Sequence, residues 1–265
     1  MSQTTSAPTE KPRRGARTTA TVTAVRQLTP HMIRVTLGGE ALADVDPTPF
    51  PDRYVKLVMA EPTEPEGRPV LRTYTIRAVT EAGWDIDVVT HGDVGHGGPW
   101  AQQVQPGDEV SFVGPGGDYA PSPDAPWHLL AGDESALPAI AAACEALPDG
   151  AVAHVFVEVA DASEEQRITS SANLRLTWVH RTTGASLADV VQAAELPDGT
   201  PHTFLHGEAG CVRDLRRWVR AELGVPRELL SASGYWRRGS DDEDWRARKR
   251  DWNSAVDEDD AALVG

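Results

Sequence analysis

The apolar and polar positions of this chain change rhythm once, near residue 120. Before that point, short β-branched runs alternate apolar and polar residues and are cut by Gly, Pro and Asp. They read "TATVTAVRQLT" (from about 18), "MIRVTLGG" (32–39), "RYVKLVMA" (53–60), "LRTYTIRAV" (71–79), "WDIDVVTHG" (84–92) and "DEVSFVGP" (108–115). Alternation of this kind marks half-buried strands, and "LGGE", "EPEG", "QPGD" and "GPGGD" supply the turns between them. Six short strands with little helix predict a small antiparallel Greek-key β-barrel over residues 18–122.

After the Pro-, Ser- and Asp-rich linker "APSPDAP" (120–126), strands become near-continuously apolar and alternate with helices. The predicted strands are 127–133, 151–160, 174–181, 202–208 and 228–236, and the helices are 134–147, 186–196 and 209–224. In the last helix Val212, Leu215, Trp218, Val219 and Leu223 recur at helical spacing before Gly224 and Pro226. This is the pattern of an α/β domain with a doubly wound parallel sheet over 126–239. "SDDEDWRARKRDWN" (240–253) opens on a capping pair, Ser240 and Glu243, and predicts a basic terminal helix. Residues 1–17 read as a disordered tail and 254–265 as a solvated acidic one.

Composition narrows the options. The chain has 265 residues, 40% of them hydrophobic and 25% charged, which suits a globular protein with a real core. No apolar run is long enough to span a bilayer, and no apolar stretch follows the Arg13–Arg14 pair, so a cytoplasmic location is expected. Two distant cysteines, Cys144 and Cys211, exclude a disulfide framework and a cysteine-ligated cluster. A formal charge of −15 argues against a general nucleic-acid binder. Any anionic ligand must therefore be drawn by a local group of basic residues.

Four stretches carry candidate chemistry. In "LRTYTIR" one strand face holds Arg72 and Tyr74, and the other holds Thr73, Thr75 and Arg77. Such a strand is either a solvated edge or a surface for a flat, anionic ligand. A flavin needs an aromatic partner, a hydroxyl and cations at its phosphates, and these residue types supply them. Glycines 92, 95, 97 and 98, with Pro99, open into a short helix and form a plausible pyrophosphate cradle. His91 and His96 lack companions at ligand spacing, and no metal site is expected. "GDESA" (132–136) follows the first strand of the second domain, where open α/β sheets bind ligands. It holds one glycine and two acids in place of a glycine-rich fingerprint, so a dinucleotide would dock there loosely or tilted. "GYWRRG" (234–239) ends the last strand with two aromatics and two arginines. His202 and His206, on one strand face, read as buried or partnered residues.

In this order the stretches resemble the siderophore-interacting protein family, the FAD-containing ferric-siderophore reductases of the ferredoxin-reductase superfamily. The resemblance runs from about residue 18 to 252 and rests on "RTYTIR", "HG…GGPWA…PGD…GPGG", "GDESALPAI", "HGEAG" and "GYWRRG". It implies an FAD site containing Arg72, Tyr74, Thr75 and Arg77, with His91, Gly97, Gly98, Pro99 and Trp100 near the diphosphate. Trp100 stands where the family commonly has a small hydroxyl residue, so backbone amides would hold the phosphate. Asp133, Glu134, Ser135 and Ala136, with "GEAG" (207–210), would line the pyridine-nucleotide side. The implied donor is NAD(P)H or a small iron–sulfur protein such as ferredoxin. Arg213, Arg216 and Arg217 would suit a 2′-phosphate, or they form a solvated helix face. The implied substrate is a ferric siderophore, met by Lys56, Arg237, Arg238, Arg246 and Lys249, with Trp236 or Trp245 stacking. A monomer is expected. Two other readings remain at this level: a general NAD(P)H:flavin reductase, and a siderophore-binding protein without catalysis.

Overall fold

The structure, a computed structural model, describes residues 17–64, 66–92 and 95–262; the expected tail at 1–16 lies outside them. The first half closes into a six-stranded antiparallel barrel of order β1-β2-β5-β4-β3-β6. Its strands are β1 (Arg17–Thr29), β2 (Met32–Gly38), β3 (Tyr54–Ala60), β4 (Val70–Thr80), β5 (Gly83–Val89) and β6 (Glu109–Gly116). Alternate residues of every strand meet inside: Val22, Val35, Leu37, Val55, Leu57, Ile76, Ile86, Val88 and Phe112 are fully buried. Closure pairs β1 with both β2 and β6 and leaves no free sheet edge. Helix α1 (Gly97–Gln103) crosses between β5 and β6.

The second half is a five-stranded parallel sheet of order β11-β10-β7-β8-β9. Its elements are β7 (His128–Asp133), α2 (Leu137–Glu145), β8 (Val152–Val159), β9 (Asn173–His180), α3 (Leu187–Gln192), β10 (His202–Glu208), α4 (Ala209–Ala221) and β11 (Leu230–Trp236). The central strands β7 and β10 are buried along nearly their whole length because helices cover both faces. Helix termini fall a few residues inside their expected limits, as at α2 and α3.

The terminal helix α5 (Asp242–Ala262) corrects the sequence reading. It continues past 253 through residues expected to be solvated. The reason is tertiary. Trp245, Trp252 and Val256 are buried against the α/β core, and Trp252 Nε1 donates to Ala209 O at 3.1 Å. The acidic end is ion-paired: Asp259 accepts from Arg213 (2.6 Å) and Arg217 (2.9 Å), and Asp257 from Arg227 (3.1 Å).

The two halves are joined by polar contacts as well as packing. Glu164, on the crossover from β8 to β9, accepts from Thr29 Oγ1 and lies 2.5 Å from His31 Nδ1. Arg77 of β4 makes a bidentate pair with Glu145 of α2, at 2.9 and 2.5 Å.

Candidate functional site

Strand register builds the site. On β3 and β4, Leu57 faces Arg72 and Val55 faces Tyr74, while Tyr54 faces Thr75 and Lys56 faces Thr73. Arg72 and Tyr74 therefore rise from the core side, and Thr75 lies on the opposite face with Tyr54 and the exposed Lys56. The Arg72 guanidinium is buried, bonding Leu71 O at 3.0 Å and the Glu243 carboxylate of α5 at 2.7 Å. Tyr74 lies directly over the first turn of α1: a Cβ on Gly97 would stand 1.7 Å from its hydroxyl. Only glycine lets that helix start so close beneath the ring. Gly98 follows with its would-be Cβ 3.7 Å or more from the Thr90 and His91 backbone. A sunken cation, a flat ring and a side-chain-free helix start fit the diphosphate and planar ring of a flavin dinucleotide.

Other expected members of this cradle are placed differently. Arg77 is turned to Glu145 and lines, with Arg26, Arg34 and Arg167, a separate cleft of about 340 Å³ between the domains. Alternation places Arg77 on the face of Thr73 and Thr75, opposite Arg72 and Tyr74, and a register shift against β5 follows Ile76. Trp100 packs against the barrel core, and His91 is exposed in the loop before α1.

At the carboxyl edge of the parallel sheet the acids have structural partners. Asp133 is buried and accepts from Ser135 N, Ser135 Oγ, Glu208 N and Trp236 Nε1, all within 2.9 Å. Burial raises its pKa to about 6. It faces Gly207, whose φ of 129° and lack of a Cβ make room for the carboxylate. Asp133 thus fastens the β10–α4 junction and the Trp236 indole to β7 instead of pointing at an incoming ligand. Ala136 is core. Glu134 grips Arg181 in a bidentate pair, and Glu158 lies 3.4 Å from the same guanidinium. Glu208 caps α4 through Cys211 N and accepts from Arg238 N. The edge is acidic: Arg181 is engaged by two of these acids, and Arg238 lines the same cavity as Asp133, Glu158 and Glu208.

The candidate basic residues lie on three elements. Lys56 is exposed on β3, and Arg237 and Arg238 are exposed just after β11. Lys249 of α5 lies half-buried, 6.0 Å from the Trp245 ring, and Arg246 is exposed one turn earlier. Trp245 itself is 2% exposed. The stacking role suggested for it is excluded by burial, and Trp236, at 37% exposed, is the accessible indole. Sequence reasoning missed one member of this neighbourhood, Glu243 on Arg72. Neither spacing nor composition links residues that far apart in the chain.

A closed antiparallel barrel followed by a parallel sheet is a ferredoxin-reductase-like fold, and an FAD-binding domain model matches its barrel half. More narrowly, this chain belongs to the siderophore-interacting protein family. The family model described as "Siderophore-interacting protein" matches residues 125–239. The "Siderophore-interacting FAD-binding domain" matches 21–67 and 61–119. An uncharacterized protein of Mycobacterium tuberculosis is 42% identical over 87% of this chain and 93% of its own length. The ferric vibriobactin reductase ViuB of Vibrio cholerae is 35% identical over 68% of this chain and 69% of its own. The crystal structure of the siderophore-interacting protein SipS from Aeromonas hydrophila superposes with a TM-score of 0.80 at 31% identity. That match covers 91% of this chain and all of SipS. Among the described residues no helix is long and apolar enough to cross a membrane.

Proposed function

We propose that this protein is a cytoplasmic, FAD-dependent reductase of ferric siderophores that draws its electrons from NADH. The observation that carries the reading is the buried Arg72 guanidinium beside Tyr74 and the bare start of α1, on a protein of formal charge −15. The name of the ViuB relative supports the choice of acceptor. FAD, when bound, supplies the conversion of two-electron donation into one-electron reduction of iron. Arg72 would compensate the diphosphate, Tyr74 would cover the ring, and Thr75 would present its hydroxyl to the ring edge. Lys56, Arg237, Arg238, Arg246 and Lys249 would attract an anionic iron complex that the overall charge repels. Ferric ion is held by hard oxygen donors far more tightly than ferrous, so reduction loosens the complex without any proton-transfer residue.

The acidic edge supports NADH over NADPH as the donor. In α/β sheets an acid at the end of the second strand accepts from the ribose hydroxyls of NADH, whereas a 2′-phosphate needs a cation. Glu158 ends β8, Arg181 is engaged, and Arg213 and Arg217 are paired with Asp259. The direct test is an anaerobic absorbance titration of the FAD-loaded protein. Bleaching by NADH, followed by reoxidation on adding a ferric siderophore with a ferrous trap, is the expected result. A flavoprotein that stays oxidised with NADH would sink the donor assignment, and one that reduces free flavin but no siderophore would sink the acceptor.

A further inference from the structure

The cleft that receives Arg77 encloses about 340 Å³ between the two domains, and none of Arg72, Tyr74, Gly97 or Lys56 lines it. Its barrel wall is a row of charged side chains across adjacent strands. Arg26 of β1 stands directly opposite Arg34 of β2, Arg34 stands opposite Asp87 of β5, and Arg77 follows on β4. The facing wall belongs to the sheet domain: α2 and the β8–β9 crossover, which brings in Arg167.

Four arginines thus meet in one cavity of a chain whose formal charge is −15. Two of them are neutralised. Arg34 forks onto Asp87 at 2.6 and 2.7 Å and lies 3.4 Å from Asp85, while Arg77 forks onto Glu145 at 2.9 and 2.5 Å. The remaining acid of the lining, Glu165, is turned to His180 at 2.8 Å. Like charges directly opposite each other on a sheet are unfavourable, and Asp85 and Asp87 offset Arg34 alone. Among the described residues the Arg26 and Arg167 side chains have neither an ion pair nor a hydrogen bond. Tying elements together accounts for Arg34 and Arg77. It does not account for two unpaired arginines that reach the same cavity from separate domains.

We propose that this cleft binds a small polyanion, a molecule with two or more carboxylate or phosphate groups, between Arg26 of the barrel and Arg167 of the sheet domain. A guanidinium matches either oxyanion in bidentate fashion, and the cavity falls in the range of small-molecule sites, about 300–1,000 Å³. Two anionic groups are needed because the two unpaired arginines stand on walls from different domains. The bound molecule bridges the domains beside the Arg77–Glu145 pair that already joins them. The site is independent of the flavin reading.

Isothermal titration calorimetry of the full-length chain at low ionic strength, with citrate and with inorganic pyrophosphate, tests the proposal. Sodium chloride at matched ionic strength is the control. One saturable site per chain is expected for the polyanions and none for chloride. Arg26→Ala and Arg167→Ala should each weaken binding about tenfold, the loss expected for one charge-assisted hydrogen bond. Both side chains are exposed, so the melting temperatures of these variants without ligand should match the wild type. Arg167→Lys keeps the charge and should recover part of the affinity. Arg72→Ala, in the flavin cradle, should leave polyanion affinity unchanged. Binding that Arg72→Ala abolishes while Arg26→Ala and Arg167→Ala spare it would place the anion in the cradle and overturn the proposal. Heats that chloride reproduces, or no saturable binding of either probe, would overturn it as well. Tighter binding of pyrophosphate would mark the ligand as a phosphate compound and tighter binding of citrate as a carboxylate, and either outcome supports the site.

Discussion

On the proposed reading the barrel cradle and the carboxyl edge of the parallel sheet each meet a dinucleotide, and they are built oppositely. The cradle sinks one cation, Arg72, beside a ring and a helix start from which side chains are excluded. The edge crowds Asp133, Glu134, Glu158 and Glu208 together, with Arg181 engaged by two of them and Arg238 lining the same cavity. A cofactor that stays through turnovers needs its charge compensated by the protein. A donor that must leave after each hydride needs recognition without tight phosphate binding. On the proposed reading, the difference between the two edges is the difference between holding and visiting.

The largest effect that would sharpen this contrast is acid lability. Four buried histidines, His128, His154, His202 and His206, all lie in the sheet domain, and burial lowers each pKa. For His128 the value is about 4 and for His206 about 3, from an ordinary 6.5. A depressed histidine binds its proton in the unfolded chain first. Stability is therefore full above pH 6.5 and is lost as pH falls toward 4, by at most about 1.4 kcal/mol per pH unit for each group. Asp133, raised to about 6, works in the opposite direction over part of that window but is one group against four. Denaturant titrations at pH 7 and pH 5 should show the sheet domain weakening first, followed by its tryptophan fluorescence. Equal loss in both domains would remove the asymmetry.

Next in size is Arg72→Ala, which should weaken FAD binding about tenfold to a hundredfold, the range for losing a charge-assisted hydrogen bond. Equilibrium dialysis measures it, and unchanged affinity would move the cradle elsewhere. Donor preference comes third: NADH should reduce the bound flavin about tenfold more efficiently than NADPH, and Glu158→Gln should narrow the gap. A preference for NADPH would mean that the acids do not meet the ribose. Glu243→Gln should have the smallest effect. The Glu243 carboxylate is largely exposed and holds Arg72 at 2.7 Å, so it competes with an incoming phosphate. Releasing it should tighten FAD by about threefold, in keeping with an exposed ion pair. Weaker binding in that variant would make α5 a support of the cradle instead.

The strands were legible because their information is local. Each alternates apolar and polar residues between Gly, Pro and Asp turns, and the six runs of the barrel occupy nearly the positions the pattern indicates. The terminal helix was legible only to residue 253. Its acidic last turns look solvated until Asp257 and Asp259 are seen against Arg227, Arg213 and Arg217. Arg77 illustrates the same limit from the other direction. It shares a motif with Arg72 and Tyr74, yet it stands on the opposite strand face and meets Glu145 of α2.

The order of residues by itself determined where backbone could alternate, turn or coil, and which short runs carried cations, rings and hydroxyls. It therefore determined the two-domain plan and the flavin strand as a candidate. Which of those groups meet was decided only by folding. Asp133 turned inward to four donors, Trp245 went into the core, Glu243 reached Arg72, and His206 came between Ser231 and Tyr235. The reason is physical: strand and helix periods are set by neighbours a few residues apart, whereas a buried polar group must find its partner wherever sheet register and helix packing bring one within about 3 Å.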